Sequence, residues 1–367
     1  MKNKYINIIK WSFVFLTVLL IVVCFLLGSS YSNFVYNSNN HRAVEMIVSK
    51  LDYKVKVNNE EVSTINLKPG VNLLNIEIES LNEVDTYFKF LVENDISIFY
   101  LDDFLEGLIH SNEKKQYRVV ALNESNNQKI INYYVASGYI NNKLNDIIIP
   151  NNFKEISIKF NILSNFKFND NNDFSWKLLN INENSIEIIS NESIITSYKI
   201  EGASGYLNYD EILRTLLSDI SKNYSIRSVG IEDIEKYTNQ KLVDIKAKNF
   251  ERDDNFYIPY RNEDNYILNN NYLTNEIIIN DKVNESIYDE VFYNTNYHLK
   301  NTYSKLYDNY IEWGVLSVEN GNIKTNRLYD FNNNENNFDL VLKPIIIVPN
   351  SKLVKYDIQS DRFIIIN

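Results

Sequence analysis

Cysteine is almost absent from this sequence, which excludes a fold held together by disulfide bonds. The single cysteine among 367 residues, Cys24, lies inside a long apolar run near the amino terminus. The chain that follows this run can therefore form no internal disulfide bond. We expect its fold to depend on its hydrophobic cores.

Histidine is nearly as scarce, and its spacing favours neither a metal site nor a catalytic site. The three histidines, His41, His110 and His298, are far apart and form no H-x-H or H-x-x-x-H motif. A zinc site of the common types is therefore poorly supported. Dispersed histidines and one cysteine in the apolar run also give no Ser–His–Asp or Cys–His arrangement. We expect a protein with no metal, no cofactor and no enzymatic activity.

Clusters of positive charge are missing as well. The chain carries 37 Lys and Arg against 48 Asp and Glu, which gives a formal net charge of −11, and Lys and Arg do not cluster beyond the extreme amino terminus. Binding to nucleic acid requires clustered positive charge at the phosphates, so we expect no nucleic-acid partner.

Glycine (9) and proline (5) are also rare, whereas asparagine, isoleucine, lysine and tyrosine are abundant. This composition favours a β-rich body whose turns use asparagine in place of glycine. It also indicates an AT-rich bacterial genome.

One long hydrophobic run is present, at residues 11–28, and it contains no charge and no proline. About 18 helical residues span roughly 27 Å, close to the hydrocarbon thickness of a bilayer. Lys2, Lys4 and Lys10 precede the run without an acidic residue, which favours a cytoplasmic amino terminus. We predict a cytoplasmic tail (1–10), a transmembrane signal anchor in contact with membrane lipid (11–28), a juxtamembrane spacer (29–50) and an extracellular body.

The alternative to an anchor is a cleaved signal peptide. Such a peptide has an apolar core of about 7–15 residues and an A-x-A-like cleavage site. The run here is longer, and Gly28, Ser29 and Ser30 only loosely approximate such a site. We therefore favour retention of the helix in the membrane.

Beyond the spacer, apolar and polar residues alternate as in strands with one buried face. Leu74, Ile76 and Ile78 lie on one face of a predicted strand, with polar residues between them. Further short apolar segments follow at 86–93, 96–101, 116–122 and 129–139. They predict an antiparallel β-sandwich, immunoglobulin-like or related, over residues 51–163. Residues 102–110 are interpreted as a helical crossover between strands.

The second half predicts an α+β domain over residues 165–367. Apolar residues at helical spacing predict helices at 209–223 and 231–237, and Asn320-Gly321 predicts a hairpin turn. Residues 249–300, rich in Asn, Tyr and acidic residues, are expected to form long loops around brief strands.

A family resemblance rests on a set of residues in this half. In chain order they are Trp176, Gly202, Gly205, Tyr206, Asn208, Arg227, Ser228, Glu232, Asp233, Ile234, Trp313, Gly314, Val315, Gly321, Lys343 and Pro344. Their order resembles the C-type-lectin-like, formylglycine-generating-enzyme-like module of surface proteins of low-GC Gram-positive bacteria. The resemblance covers roughly residues 165–357 and implies a lectin-like domain. The calcium-binding tripeptides of lectins and the catalytic cysteines of the formylglycine enzymes are absent, so neither activity is implied.

Three aromatic residues are candidates for ligand binding: Trp176, Trp313 and Tyr206. An indole face suits the apolar face of a sugar ring. The alternative for both tryptophans is a core position, because each lies in an apolar strand, and we favour that alternative.

Two acidic groups are further candidates. Glu232, Asp233 and Glu235 stand near the start of a predicted helix, where acidic residues complement the helix dipole, so a structural role is favoured over acid–base chemistry. The run at 169–173 lacks the order of an EF-hand loop and is interpreted as a solvated turn.

These features predict a non-enzymatic, membrane-anchored surface protein of a Gram-positive bacterium. Its sandwich is interpreted as a stalk, and its lectin-like domain as a head that binds a glycan, a cell-wall polymer or a protein. The alternative is a structural subunit of a cell-envelope machine for secretion, pilus assembly or division, in which the anchor helix packs against other membrane helices.

Overall fold

A computed structural model describes residues 15–20, 51–93, 98–139, 144–169, 174–199, 209–251, 271–306, 311–327 and 337–366. The chain divides into two compact units, Met1–Leu51 and Asp52–Asn367. In the first unit residues 15–20 are helical, and the remainder of the predicted tail, anchor and spacer lies outside the described residues. Among the helices that the structure describes, none is long and apolar enough to cross a membrane.

The described part of the second unit is built mainly from strands, as the alternating sequence predicted. The strands are β1 (Tyr53–Val57), β2 (Glu60–Glu61), β3 (Thr64–Leu67), β4 (Gly70–Ser80), β5 (Thr86–Glu93), β6 (Ile98–Tyr100), β7 (Glu106–Ile109), β8 (Lys114–Asn123), β9 (Lys129–Tyr139), β10 (Phe153–Glu155), β11 (Asn165–Phe168), β12 (Trp176–Ile181), β13 (Ser185–Ser190), β14 (Ile194–Lys199), β15 (Ser225–Ser228), β16 (Val243–Glu251), β17 (Asn271–Ile279), β18 (Tyr297–Leu306), β19 (Ile311–Glu319), β20 (Asn322–Arg327), β21 (Asn337–Leu342), β22 (Pro344–Pro349), β23 (Leu353–Asp357) and β24 (Arg362–Ile366). The helices are α1 (Tyr209–Leu216), α2 (Ser218–Ser221), α3 (Ile231–Thr238) and α4 (Asp289–Phe292), and a 3₁₀ turn covers Leu144–Asp146.

Three larger sheets organise this unit. Sheet 1 has the order β2-β1-β4-β8-β6, and sheet 2 has the order β10-β5-β9-β3 with β7 also paired to β5. Sheet 3 has the order β15-β22-β13-β12-β11-β24-β23, and its β11 and β24 run parallel. The other pairings are β14 with β21, β16 with β17, and β18-β19-β20.

Sheets 1 and 2 share one hydrophobic core. Leu74, Ile76 and Ile78 of β4 are buried in the same cluster as Phe88 and Phe90 of β5. The residues between them on β4 are exposed or half-buried. The predicted alternation is therefore confirmed for this strand, and its apolar side chains face the second sheet.

Part of the opposite face of sheet 1 is buried as well, against sheet 3. Phe99 of β6 and Val120 of β8 belong to the cluster that contains Phe363 of β24, and the Phe99 ring lies 5.5 Å from the Phe363 ring and 5.2 Å from the Tyr356 ring. Because sheet 1 is covered on both faces at this end, β8 finishes in a continuous buried run at 119–123 and alternates only before it. This core extends across the predicted boundary at 163–165, and the division into two domains stays a prediction.

Local signals predicted several elements of the second half correctly. Helices α1, α2 and α3 lie within or close to the predicted spans 209–223 and 231–237. The predicted hairpin joins β19 and β20, and Asn320 (φ 49°) and Gly321 (φ 78°) adopt the left-handed conformation of its turn.

Two secondary-structure predictions are wrong. Residues 102–110 do not form a helix, because β7 within them pairs with β5 from Ile109 opposite Thr86 to Glu106 opposite Lys89. The strands of residues 249–300 are not all brief, since β17 is nine residues long and pairs with β16 along its full length. Residues 252–270 lie outside the described residues.

Gly70 marks a close backbone approach between sheet 1 and the turn after β22. Its φ is +89°, and a Cβ at this position would lie 2.1 Å from the carbonyl oxygen of Asn350. Val71 N donates to that same oxygen at 2.7 Å, and Asn350 N donates to Asn184 O at 2.9 Å. Only glycine fits both the backbone angle and the space.

We expect Gly70→Ala to lower the free energy of unfolding of the full-length protein by about 3 kcal/mol or more, because left-handed strain and a backbone collision add. The matched control is Gly321→Ala, since Gly321 also has a positive φ but has no heavy atom within 4 Å of an added Cβ. The free energy of unfolding of Gly321→Ala should fall by only about 1 kcal/mol. Urea unfolding measures both losses, and equal losses would show that the approach at Asn350 does not constrain the fold.

Candidate functional site

The predicted aromatic site is not assembled in the described residues. Trp176 has no exposed surface, and its ring packs edge-on against Phe168 at 5.7 Å. It therefore lies in the core, as the favoured alternative for this residue stated, and offers no face to a ligand. Trp313 belongs to β19, but its side chain lies outside the described residues, as does the whole of Tyr206.

The three carboxylates of α3 have structural partners. Asp233 Oδ2 accepts from Gly230 N at 2.9 Å and pairs with Arg227 Nη1 at 2.5 Å. Glu232 pairs with Lys300 at 2.5 Å. Glu235 Oε1 accepts from the backbone N–H groups of residues 242 and 243 at 2.8 and 2.9 Å. These contacts hold the helix to β15, β16 and β18, and they engage the groups that acid–base chemistry would require.

The histidines lie in different environments. His298 is half-buried, its Nδ1 accepts from Val341 N at 3.1 Å, and burial lowers its pKa. His110 is exposed, and its hydrogen bond with Asp85 at 2.8 Å raises its pKa. His41 and most of the acidic run at 169–173 lie outside the described residues. Within the described part of the chain, no group of three or more His, Cys, Asp or Glu is placed to hold a metal ion.

A cleft of about 410 Å³ lies between sheet 1 and sheet 3. Leu101, Asp102 and Arg118 form its sheet 1 wall. Arg118 Nε and Nη2 donate to the two carboxylate oxygens of Asp102 at 2.6 and 2.9 Å. This two-point hydrogen bonding raises the pKa of Arg118 and fixes the plane of the guanidinium.

The floor of the cleft is the segment that connects the two sheets. Phe160 N donates to Tyr100 O at 3.0 Å and Leu163 N donates to Leu178 O at 2.8 Å, so this segment is tied to sheet 1 and to sheet 3. Lys159, Asn161 and Ile162 of this segment line the cleft. The spacing of the two walls is therefore set by backbone hydrogen bonds.

The opposite wall is formed by Asn180 and Ile181 at the end of β12, together with Ile287. The pairing of β12 with β13 shifts register between Leu178 and Asn180. Such an irregularity changes the direction in which the following side chains point. Ile287 is 62% exposed and places an apolar group at the rim.

Three polar side chains of the cleft are available to a ligand: Lys159, Asn161 and Asn180. Among the residues that the structure describes, no hydrogen bond or ion pair engages any of these side chains. Two carboxamides, an ammonium group and a fixed guanidinium supply donors and acceptors, and isoleucines supply an apolar surface. The volume lies within the range of about 300–1,000 Å³ of small-molecule sites.

No motif in the sequence predicts this cleft. Its residues extend from Leu101 to Ile287 and belong to no motif, so only the packing of sheet 1 on sheet 3 brings them together. Comparison of the chain with family models, with curated proteins and with solved structures found no match. The resemblance of residues 165–357 to lectin-like modules therefore stays a prediction.

The two described histidines predict pH effects of opposite sign. The folded-state pKa of His298 is lowered, so below about pH 6.5 the unfolded state binds more protons and stability is lost. We expect urea unfolding of the full-length protein to show that His298→Gln loses less stability than the wild type between about pH 7.5 and about pH 5.5.

His110→Gln is the matched control. The folded-state pKa of His110 is raised, so its contribution is fully present below about pH 6.5 and is lost as the pH rises through the folded-state pKa. His110→Gln should therefore lose more free energy of unfolding than the wild type when the pH falls from about 7.5 to about 5.5. The same pH dependence in all three proteins would contradict both assignments.

Proposed function

We propose that this protein is a membrane-anchored binding protein of the bacterial cell surface, and that it holds a segment of a glycan in the cleft between sheets 1 and 3. The observation that carries the proposal is the cleft, where Lys159, Asn161 and Asn180 have no protein partner among the described residues. The proposal keeps the predicted helical anchor at 11–28 and an extracellular body.

In this proposal sheets 1 and 2 form the predicted β-sandwich. Their common core supports the assignment, since residues from both sheets meet in one buried cluster. Residues from 165 onward form the predicted lectin-like head. The ligand would lie between the sandwich and the head, since interfaces between domains are a common position for binding sites. It would not bind to the tryptophans of the head.

The chemistry of the cleft favours an acidic glycan. Arg118 and Lys159 are cationic and only Asp102 is anionic, so the cleft carries an excess of positive charge although the chain is acidic. The carboxamides of Asn161 and Asn180 suit sugar hydroxyl groups, because each amide offers both a donor and an acceptor. Isoleucine side chains suit the C–H face of a sugar ring.

Titration calorimetry of the full-length protein tests the proposal with soluble peptidoglycan fragments and with neutral and uronic-acid-containing oligosaccharides. We expect the acidic probes to bind, and we expect Lys159→Ala and Asn180→Ala each to weaken binding about tenfold, the equivalent of about 1.4 kcal/mol. The melting temperature should not change, because neither side chain has a partner among the described residues.

Lys355→Ala is the matched control, since Lys355 is an exposed lysine on β23 that does not line the cleft. It should leave binding unchanged. If none of the probes binds, or if all three variants bind as the wild type does, the cleft is not a glycan site.

A further inference from the structure

The most unusual polar group in the described residues is the amine of Lys343, between β21 and β22. Lys343 has no exposed surface, and no carboxylate in the described part of the chain forms an ion pair with it. Burial lowers its pKa to about 7, although the charge of Glu192 opposes this. Burial therefore favours the uncharged form of the amine, which has a free lone pair.

This amine contacts a carboxamide. Lys343 Nζ lies 2.5 Å from Asn294 Oδ1 and 3.1 Å from Thr295 Oγ1, above the ring of Tyr297 at 5.3 Å from its centroid. A C=O bond of about 1.23 Å places the Asn294 Cγ no more than about 3.7 Å from Nζ. That separation is close to the distance of about 3–3.5 Å at which reacting atoms meet.

The carboxamide is held in place by a second set of contacts. Asn294 Nδ2 donates to Asn191 O and to Asn191 Oδ1, both at 3.0 Å. The hydroxyl groups of Thr295 and Ser193 lie 2.7 Å apart. The Asn294 side of the cluster is exposed, so a small molecule released there can reach solvent.

We propose that Lys343 and Asn294 react to form an intramolecular amide cross-link. The lone pair of Nζ attacks Cγ of Asn294, a bond forms between Nζ and Cγ, and the bond between Cγ and Nδ2 breaks. Nζ gives one proton to the hydroxyl of Thr295, with which it is hydrogen-bonded, and Nδ2 gains one proton and departs as ammonia, so the number of protons is unchanged. The step consumes no oxidant, reductant or co-reactant.

The cross-link would join the β21–β22 junction to the segment after α4, across 49 positions of sequence. It would replace a buried amine with a neutral amide and remove the cost of an unpaired buried charge. It would also constrain the unfolded chain, as a disulfide bond does. This inference is independent of the glycan proposal, because Lys343 and Asn294 do not line the cleft.

Mass spectrometry of the full-length protein, after incubation at about pH 8 where the amine is uncharged, tests the cross-link. Under denaturing conditions we expect an intact mass lower than the sequence mass by one ammonia molecule. Proteolysis should then release a branched peptide that contains Lys343 joined to Asn294. Either an unchanged mass or conversion of Asn294 to aspartate would overturn the proposal.

Variants identify the reacting groups. Lys343→Met and Asn294→Ala should each have the mass calculated from their own sequence, with no loss of ammonia. Asn294→Ala changes an exposed position, and circular dichroism shows whether this variant is folded. Asn296→Ala, two residues further along the same exposed segment, should keep the mass deficit. A deficit that persists in folded Asn294→Ala would place the loss of ammonia elsewhere and refute this cross-link.

Discussion

The fold of the second unit depends on sheet 1, which is buried along one face and at one end of the other face. One face packs on sheet 2 through residues such as Ile76, and the other packs on sheet 3 through Phe99 and Val120. Each fully buried large apolar side chain contributes about 1.5–3 kcal/mol, so separating sheet 1 from either neighbour would expose a large part of the core. All three sheets belong to one compact unit. The walls of the cleft between sheets 1 and 3 therefore have a fixed spacing before a ligand binds.

Local signals predicted the elements that short segments determine by themselves. The alternation in β4, the apolar spacing in α1 and the Asn320-Gly321 turn each act within a few residues. The errors concern segments whose structure is set by distant partners. Residues 106–109 form a strand because β5 presents an edge to them, and β16 extends to Glu251 because β17 pairs with it. Neither partner is visible in a local window of sequence.

The same distinction explains why the candidate site was not predicted. Trp176 is a candidate in the sequence because it is a large aromatic residue. In the structure it lies in an apolar strand of sheet 3, and its indole is buried because both faces of that sheet are covered. The cleft is formed by residues that are ordinary in sequence, such as Asn161 and Asn180. They become a candidate site only because the connecting segment is hydrogen-bonded to sheet 1 and to sheet 3.

Two cations of the same body, one half-buried and one fully buried, are stabilised in different ways. Arg227 is part of a charged group in which Asp233 and Glu187 lie 2.5 and 3.2 Å from its guanidinium, so its charge is compensated and its pKa is raised. Lys343 is more deeply buried, yet its contacts are a carboxamide, a hydroxyl and an aromatic ring. A protonated amine at that position would be a buried charge with no ion pair among the described residues and only the charge of Glu192 to oppose its burial, and burial of a charge favours loss of the proton. An amine that has lost its proton is a nucleophile, and the group that it touches is an electrophilic carbonyl. The only cysteine of the sequence lies outside this body, so a covalent tie within the described residues cannot be a disulfide bond and would need another pair of groups, such as this amine and this carboxamide.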